Sequence, residues 1–260
     1  MRVLGIIPAR YGSTRLAGKP LAEICGRPMI EHVYRRAAAA RCLDLLLVAT
    51  DDERIAAAVE AFGGRAVMTD PHHRSGTDRC AEVARAHPAF DVVVNIQGDE
   101  PLLDPHLIEE TVAALAEDPA VLMSTPARRR EGEADEDPNV VKVVVNLKGD
   151  ALYFSRRPIP YPRRVEEGLV AYEHIGLYCY RREFLLHLAT LPPTPLEKIE
   201  SLEQLRVLEH GYPIRVVVTS SSSPTLAVDT PEDLKRVRAI MAGLEHQDSF
   251  VDRGRLNPSG

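Results

Sequence analysis

Short apolar runs alternate with helix-period segments through the first half of this chain, an order that few architectures accommodate. Residues 3–7, 45–49, 65–68, 91–96 and 121–125 read as strands, and 45–49 is apolar throughout, as in a strand covered on both faces. Between them, 28–40, 52–61, 75–86 and 105–116 carry helical patterns. Asp51 is a candidate cap for the second helix, and Gly63-Gly64 terminates it. Such a series closes into a parallel sheet, because right-handed crossovers return the chain to the same sheet edge. The expected class is α/β, with a doubly wound, mostly parallel sheet whose ligands sit at the carboxyl ends of its strands.

The alternation stops at Arg128. Residues 128–139 are a charged run expected as a loop, and 140–146, 151–155 and 174–180 are strand patterns without long helices between them. They should form an antiparallel addition over about 128–195, within one domain spanning 1–244. Residues 196–210 read as one amphipathic helix with Ile199, Leu202, Leu205 and Leu208 on its apolar side. Short strands are expected at 214–218 and 226–228, then a helix over 231–241 with Pro231 at its first position and Asp229 or Thr230 as cap. A polar tail, 245–260, is expected to be disordered.

The first strand runs into Pro8 and a loop holding Arg10, Arg15 and Lys19 among Gly12, Ser13, Thr14 and Gly18. Cations and small residues gathered behind a first strand suit a polyanion, above all a nucleoside triphosphate. The planar fork of arginine donates two hydrogen bonds to a phosphate at once, and backbone N–H groups add to it. The plainer alternative is a solvated basic loop. The loop matches neither GxGxxG nor GxxxxGK[ST], which removes the specific support for dinucleotide and P-loop readings.

The whole chain is acidic, with a formal charge of −6. That argues against a general nucleic-acid or membrane binder and makes the basic loop a local site for a small anion. Cys25, Cys42, Cys80 and Cys179 are scattered with no CxxC pair, so neither zinc nor a disulfide framework is expected, and a reducing cytoplasm is the simplest home. No apolar run approaches the roughly twenty residues of a membrane span, and the apolar start is too short for a secretory leader.

Gln97-Gly98-Asp99-Glu100-Pro101 follows the fourth strand pattern. A carboxylate there is placed to hold Mg²⁺, which takes one or two carboxylates and completes its shell with phosphate oxygens and water. Asp99 or Glu100 could instead cap the next helix. Asp229 faces the same choice, and the run Asp229-Thr230-Pro231-Glu232-Asp233 by itself is an ordinary helix start. Ser75 and Thr77, either side of Gly76, could serve an anion, a ribose edge or only a cap. Arg156 could pair with a substrate carboxylate, and His174 and Tyr178 could bond hydroxyls, although each alone is more often structural. Glu203 and Gln204 lie between apolar positions of 196–210, where a solvated face is the default. Asp135-Glu136-Asp137 matches a DxD metal pattern but lies away from the expected strand ends and reads as solvated charge. Nucleophilic catalysis has no support: there is no GxSxG elbow and no cysteine with an evident histidine partner.

In order along the chain, IIPARYGSTRLAGKPL, VATDDERI, SGTDR, VNIQGDEPL, ALYFSR, HIGLYCYR, PLEKIESLEQLRVLEHG and VDTPEDL closely resemble the cytidylyltransferases that activate 3-deoxy-manno-octulosonate (Kdo). The resemblance implies a Rossmann-like fold of the nucleotide-diphospho-sugar transferase type and Mg²⁺-dependent transfer of CMP from CTP to Kdo for lipopolysaccharide synthesis. It also implies a cytoplasmic homodimer touching through the antiparallel addition. Arg10, Arg15 and Lys19 match triphosphate-binding positions. Pro8 and Ala9 match the backbone bordering the cytosine, with Ser75 and Thr77 on the nucleotide side. Asp99 and Asp229 match metal-binding carboxylates. Gln97, Arg156, His174, Tyr178, Glu203 and Gln204 match positions contacting the sugar acid. A related acceptor, 8-amino-Kdo or sialic acid, is the nearest alternative. Two departures stand out: residues 219–226 are Ser-rich where a Gly-containing approach to Asp229 is expected, and Arg74 replaces a common neutral polar residue.

Overall fold

Strand β1 (Val3–Ala9) is the axis of the parallel sheet in the computed structural model, which describes residues 1–12, 16–132, 136–164 and 170–254. A small hairpin, β2 (Glu23–Ile24) and β3 (Arg27–Pro28), leads into α1 (Met29–Ala38). There follow β4 (Leu45–Thr50), α2 (Glu53–Ala61), β5 (Ala66–Met68), α3 (Gly76–Ala86), β6 (Val92–Asn95) and α4 (Pro105–Glu117). The second half holds β7 (Met123–Glu131), β8 (Lys142–Val145), β9 (Ala151–Ser155), β10 (Val170–His174), β11 (Tyr178–Arg181), α5 (Arg182–Leu188), α6 (Pro195–Glu200), α7 (Gln204–Glu209), β12 (Arg215–Val218) and α8 (Pro231–Gly254).

Strands β5, β4, β1 and β6 are parallel in that spatial order. The chain therefore winds outward from β1 to β5 and returns on the other side at β6. The switch point lies between β1 and β6, where a doubly wound sheet opens its ligand crevice. Alternation along β1 supplies both faces of the core. Leu4 and Ile6 pack with Cys80 and Ala84 of α3 and Leu185 of α5. Val3 and Ile7 pack with Ile30 of α1, Ile55 of α2 and Ile108 of α4. All of these are buried, and truncating one of the Leu or Ile side chains to alanine costs about 2–5 kcal/mol.

The antiparallel addition forks the sheet. Ser124 of β7 pairs with both Cys179 and Arg215, and Ala127 with both His174 and Val218. Strands β10 and β11 therefore share one edge of β7, while β12 takes the other. On its far side β11 pairs with β6, whereas β10 pairs with β8. The sheet splits between those two neighbours at Ile175–Leu177, and the opening becomes part of the site.

Several expected elements are corrected. The pattern over 174–180 is two strands, interrupted at the fork. Strand β7 continues through Arg128 to Glu131, because pairing with β10 carries the charged residues along the ladder. Residues 226–228 form no strand. Asp52, not Asp51, caps α2 by accepting the Arg54 N–H. The helix over 196–210 is broken: Ser201 adopts φ 52°, ψ 50° between α6 and α7. Glu197 Oε2 accepts the Thr194 N–H at 3.0 Å at the start of α6 and also accepts from the Arg206 Nε at 2.9 Å, so both pieces are locked around the break. Ile199 is consequently 78% exposed instead of sharing an apolar face with Leu205. Helix α8 runs on to Gly254, past the expected end near residue 241, and takes up residues 245–254 of the expected tail. Arg15, Ser13, Thr14 and Asp135 lie outside the described residues, as do residues 255–260.

Candidate active site

The loops after β1 and β6 meet at the switch point. A Cβ added to Gly98 would sit 2.9 Å from the Pro8 carbonyl oxygen, so only glycine lets these two segments pass so closely. This contact places Pro8, Ala9 and Arg10 beside Gln97 and Asp99 in one cleft of about 300 Å³, with Lys19, Ser75 and Asp229 also in its wall. A second cavity, about 540 Å³, opens at the fork. Gln97, Asp99, Arg156, His174, Tyr178, Glu203, Gln204 and Asp229 line it. Gln97, Asp99, Glu203 and Asp229 border both spaces.

Asp99 and Asp229 face each other across the junction. The Lys19 ammonium donates to Asp99 Oδ2 at 2.6 Å and to Asp229 Oδ1 at 3.0 Å. Lys19 arrives there because Gly18, at φ 66°, turns the loop into a short 3₁₀ segment. Two capping assignments settle what the sequence left open. Thr230 is the cap of α8: its Oγ1 accepts the Asp233 N–H while Asp233 Oδ2 accepts the Thr230 N–H. Asp104 caps α4 by accepting the His106 N–H. Both Asp229 and Asp99 are thereby released from capping and point into the site. The backbones behind them are tied as well, since the Val228 N–H donates to the Asp99 carbonyl at 2.9 Å.

The donor chemistry suits Mg²⁺. Two hard carboxylates come from separate loops, and an ammonium bridging them already marks a position for positive charge. No group of three or more His, Cys, Asp or Glu side chains gathers for a metal among the described residues. A Mg²⁺ site completed by phosphate oxygens and water needs none. Glu100 is not part of the pair. It is 8% exposed. Burial, reinforced by the Asp99 charge and opposed by Arg128, pushes its carboxyl up to about 7.

The wall of the cavity at the fork combines uncharged hydrogen-bonding groups with carboxylates, among them Asp137, Glu173, Glu203 and Asp233, and with Arg156 and Arg236. Burial lowers His174 to about 3, so its ring is neutral at ordinary pH. Thr125 Oγ1 lies 2.9 Å from His174 Nε2 and 2.7 Å from the Leu177 carbonyl. The hydroxyl's single proton goes to that carbonyl, so the network assigns the ring proton to Nε2 and leaves Nδ1 as an acceptor. The Tyr178 hydroxyl donates to Gln204 Oε1 at 3.2 Å, and Gln204 Nε2 is buried with no hydrogen-bond partner among the described residues. Thr77, expected on the nucleotide side, is buried and lines this second cavity, its hydroxyl donating to Glu203 Oε2 at 2.6 Å. Glu203 is open to solvent through the cleft, yet the protein packed around it raises its carboxyl, with the Thr77 bond opposing. The break at Ser201 turns Glu203 and Gln204 toward the cavity, where an unbroken helix pattern suggested a solvated face.

Arg156 reaches the rim of the second cavity, held by carbonyls: Nε donates to Glu200 O at 2.8 Å and Nη1 to Pro138 O at 2.9 Å. Asp137 also borders this cavity, so the charged run comes closer to the site than its sequence position suggested. Sequence reasoning missed Arg79, a buried cation of the first cleft whose Nη2 donates to Asp51 Oδ2 at 2.8 Å. Its signal was present in the SGTDR run and in Asp51 at a strand's carboxyl end. The four cysteines are free thiols.

The cytidylyltransferase family model matches residues 4–219. A 3-deoxy-manno-octulosonate cytidylyltransferase of Syntrophotalea carbinolica is 54% identical over 253 residues, covering 94% of this chain and all of the relative. One of Myxococcus xanthus is 54% identical over 240 residues, covering 92% and 96%. Among solved structures, a CMP:2-keto-3-deoxy-manno-octonic acid synthetase complexed with CTP is 45% identical, with a TM-score of 0.86 over 94% of this chain and 99% of the other.

Proposed function

The chain belongs to the 3-deoxy-manno-octulosonate cytidylyltransferase family, and from that premise we propose that it transfers the CMP group of CTP to the anomeric 2-hydroxyl of Kdo. The products are CMP-Kdo, for lipopolysaccharide biosynthesis, and pyrophosphate. The observation that carries this reading is the pair Asp99 and Asp229, bridged by Lys19, at the junction of two cavities of different chemistry.

The smaller cleft takes the nucleotide. Arg10 and Lys19 neutralise the triphosphate, and the backbone at Pro8 and Ala9 borders the base, with Ser75 at the entrance of α3. Lys19, shared between the two carboxylates, would be free to bind phosphate where a divalent cation met their charge. The cavity at the fork takes the sugar acid. Arg156 provides the positive charge for its carboxylate, and neutral His174, Tyr178, Gln97, Glu203 and Gln204 orient its hydroxyls. Asp99 and Asp229 would hold Mg²⁺, which supplies charge neutralisation at the α-phosphate and acidifies a bound hydroxyl. Catalysis is then chiefly alignment of the 2-hydroxyl with the α-phosphate and stabilisation of the departing pyrophosphate. His174 is held neutral by burial rather than tuned near 7, which does not suit it to act as a general base.

Exposed Leu147, Leu152 and Tyr161 on the antiparallel addition support a homodimer contact there, and free cysteines suit a cytoplasmic location. No helix among the described residues is long and apolar enough to cross a membrane. The test is pyrophosphate release from CTP with Mg²⁺, with Kdo, 8-amino-Kdo and sialic acid as acceptors in parallel, and with chelator as control. Kdo should be the preferred acceptor and chelator should stop release. Release with sialic acid but not Kdo would refute the acceptor, and full activity in chelator would refute the metal.

A further inference from the structure

The Ser-rich stretch that departs from the expected approach to Asp229 is tied down at nearly every hydroxyl. Residues 219–228 join β12 to Asp229 without regular structure. Thr219 Oγ1 donates to Glu110 Oε2 of α4, and Ser220 donates to Glu110 Oε1 through N–H and Oγ at 3.2 and 2.8 Å. Ser221 Oγ and Ser223 Oγ both donate to Asp104 Oδ2, the second at 2.9 Å. The other oxygen of Asp104 is the cap of α4. Two hydroxyl turns set the spacing, with Ser221 N–H on Thr219 Oγ1 and Ser223 N–H on Ser221 Oγ. From the opposite side Arg128 Nη2 donates to the Ser223 carbonyl.

Asp104 lies with Asp99 on the one connection between β6 and α4, and Ser221 and Ser223 precede Asp229. One carboxylate therefore fastens the segment carrying one member of the pair to the segment carrying the other. A carboxylate on a loop holds a cation more tightly when the loop is already locked, because a floppy approach spends binding energy on ordering the chain. We propose that Asp104, Ser221 and Ser223 form a positioning latch that fixes the Asp229 carboxylate opposite Asp99 for the divalent cation. The proposal rests on the reading of Asp99 and Asp229 as the cation-holding pair. None of the three residues lines either cavity, and their effect is on cation affinity rather than on the chemical step.

The test titrates Mn²⁺ into the full chain with a non-hydrolysable CTP analogue and no sugar, reading free Mn²⁺ by its paramagnetic resonance signal. Wild type, S221A/S223A, S221T/S223T and D229N are compared, with thermal midpoints measured in chelator. Removing both hydroxyls should weaken Mn²⁺ binding about tenfold, as for other groups that orient a metal ligand, and the threonine pair should bind like wild type. The single variants S221A and S223A, each losing one bond to Asp104, should show smaller losses and cover failure of the double variant to fold. Wild-type affinity in the alanine variants, whatever their thermal midpoints, overturns the latch. Wild-type affinity in D229N overturns the cation-pair reading itself, and the latch with it.

Discussion

Replacing Glu100 by glutamine should stabilise the metal-free protein at alkaline pH and much less at acidic pH. Glu100 is 8% exposed, and its carboxyl is raised from 4.5 to about 7, first by burial and then by the neighbouring Asp99 charge. A carboxyl raised on folding binds a proton more tightly in the native state than in the unfolded one. Its favourable contribution is thus fully present below 4.5 and is lost as pH rises through about 7. At about 1.4 kcal/mol per pH unit, the interval corresponds to a penalty of about 3 kcal/mol at pH 8 and about 1 kcal/mol at pH 5. Glutamine has nearly the same shape and no such proton, so the variant escapes this dependence. Urea unfolding of both proteins in chelator, at about pH 5 and about pH 8, isolates the effect because every other titrating group is shared. The variant should gain about 2 kcal/mol relative to wild type between the two conditions, or roughly 4–8 °C in melting temperature for a chain of this size. Parallel curves, with one constant offset at both pH values, would refute the argument that Glu100 is buried against its own charge.

Asp99→Asn should cut turnover by about 100-fold or more, through loss of preorganised charge at the reacting phosphate. Calorimetry should still show CTP binding within a few-fold of wild type, and near-normal turnover would remove Asp99 from the catalytic centre. Arg156→Ala should raise the Kdo KM by about 10- to 100-fold, the worth of a charge-assisted hydrogen bond, with little change in the CTP KM; equal effects on both would count against a sugar role. Arg206→Met should lower stability by about 3 kcal/mol because it strands Glu197, and both side chains of the pair are only about a tenth exposed, at 10% and 11%. Burial works against the Glu197 charge, but the hydrogen bonds from Arg206 and Thr194 hold its carboxyl below the usual range. The contribution of the pair is therefore present above the ordinary carboxylate pKa and is lost as pH falls through the depressed one. Melting curves across that acid range should show the variant converging on wild type.

The parts of the fold set by local periodicity were readable in the chain, and the parts set by long-range ties were not. β1, β4 and β6 announce themselves as apolar runs, and the cleft at their carboxyl ends follows from connection rules alone. The break at Ser201 does not announce itself, because Leu202 and Leu205 keep helical spacing on both sides of it. Only the buried Glu197–Arg206 pair and the left-handed Ser201 reveal that one helix has become two. The same limit hid the fork at Ile175–Leu177. Its residues read as strand, and the interruption arises because β11 and β10 answer to different neighbours, β6 and β8.

The site residues divide along the same line. Asp99 was visible from its place after a strand, whereas Asp229 was obscured by a local motif that satisfies helix capping on its own. The sequence Asp229-Thr230-Pro231-Glu232-Asp233 contains more capping groups than one helix needs. Thr230 and Asp233 complete the reciprocal bonds by themselves, and that surplus is what lets Asp229 meet Lys19. Asp104 plays the matching part at α4, taking the cap and sparing Asp99. A carboxylate beside a helix start becomes a functional candidate when a neighbouring residue has already taken the cap. In this chain both members of the pair meet that condition, and Lys19 comes from a third segment to meet them.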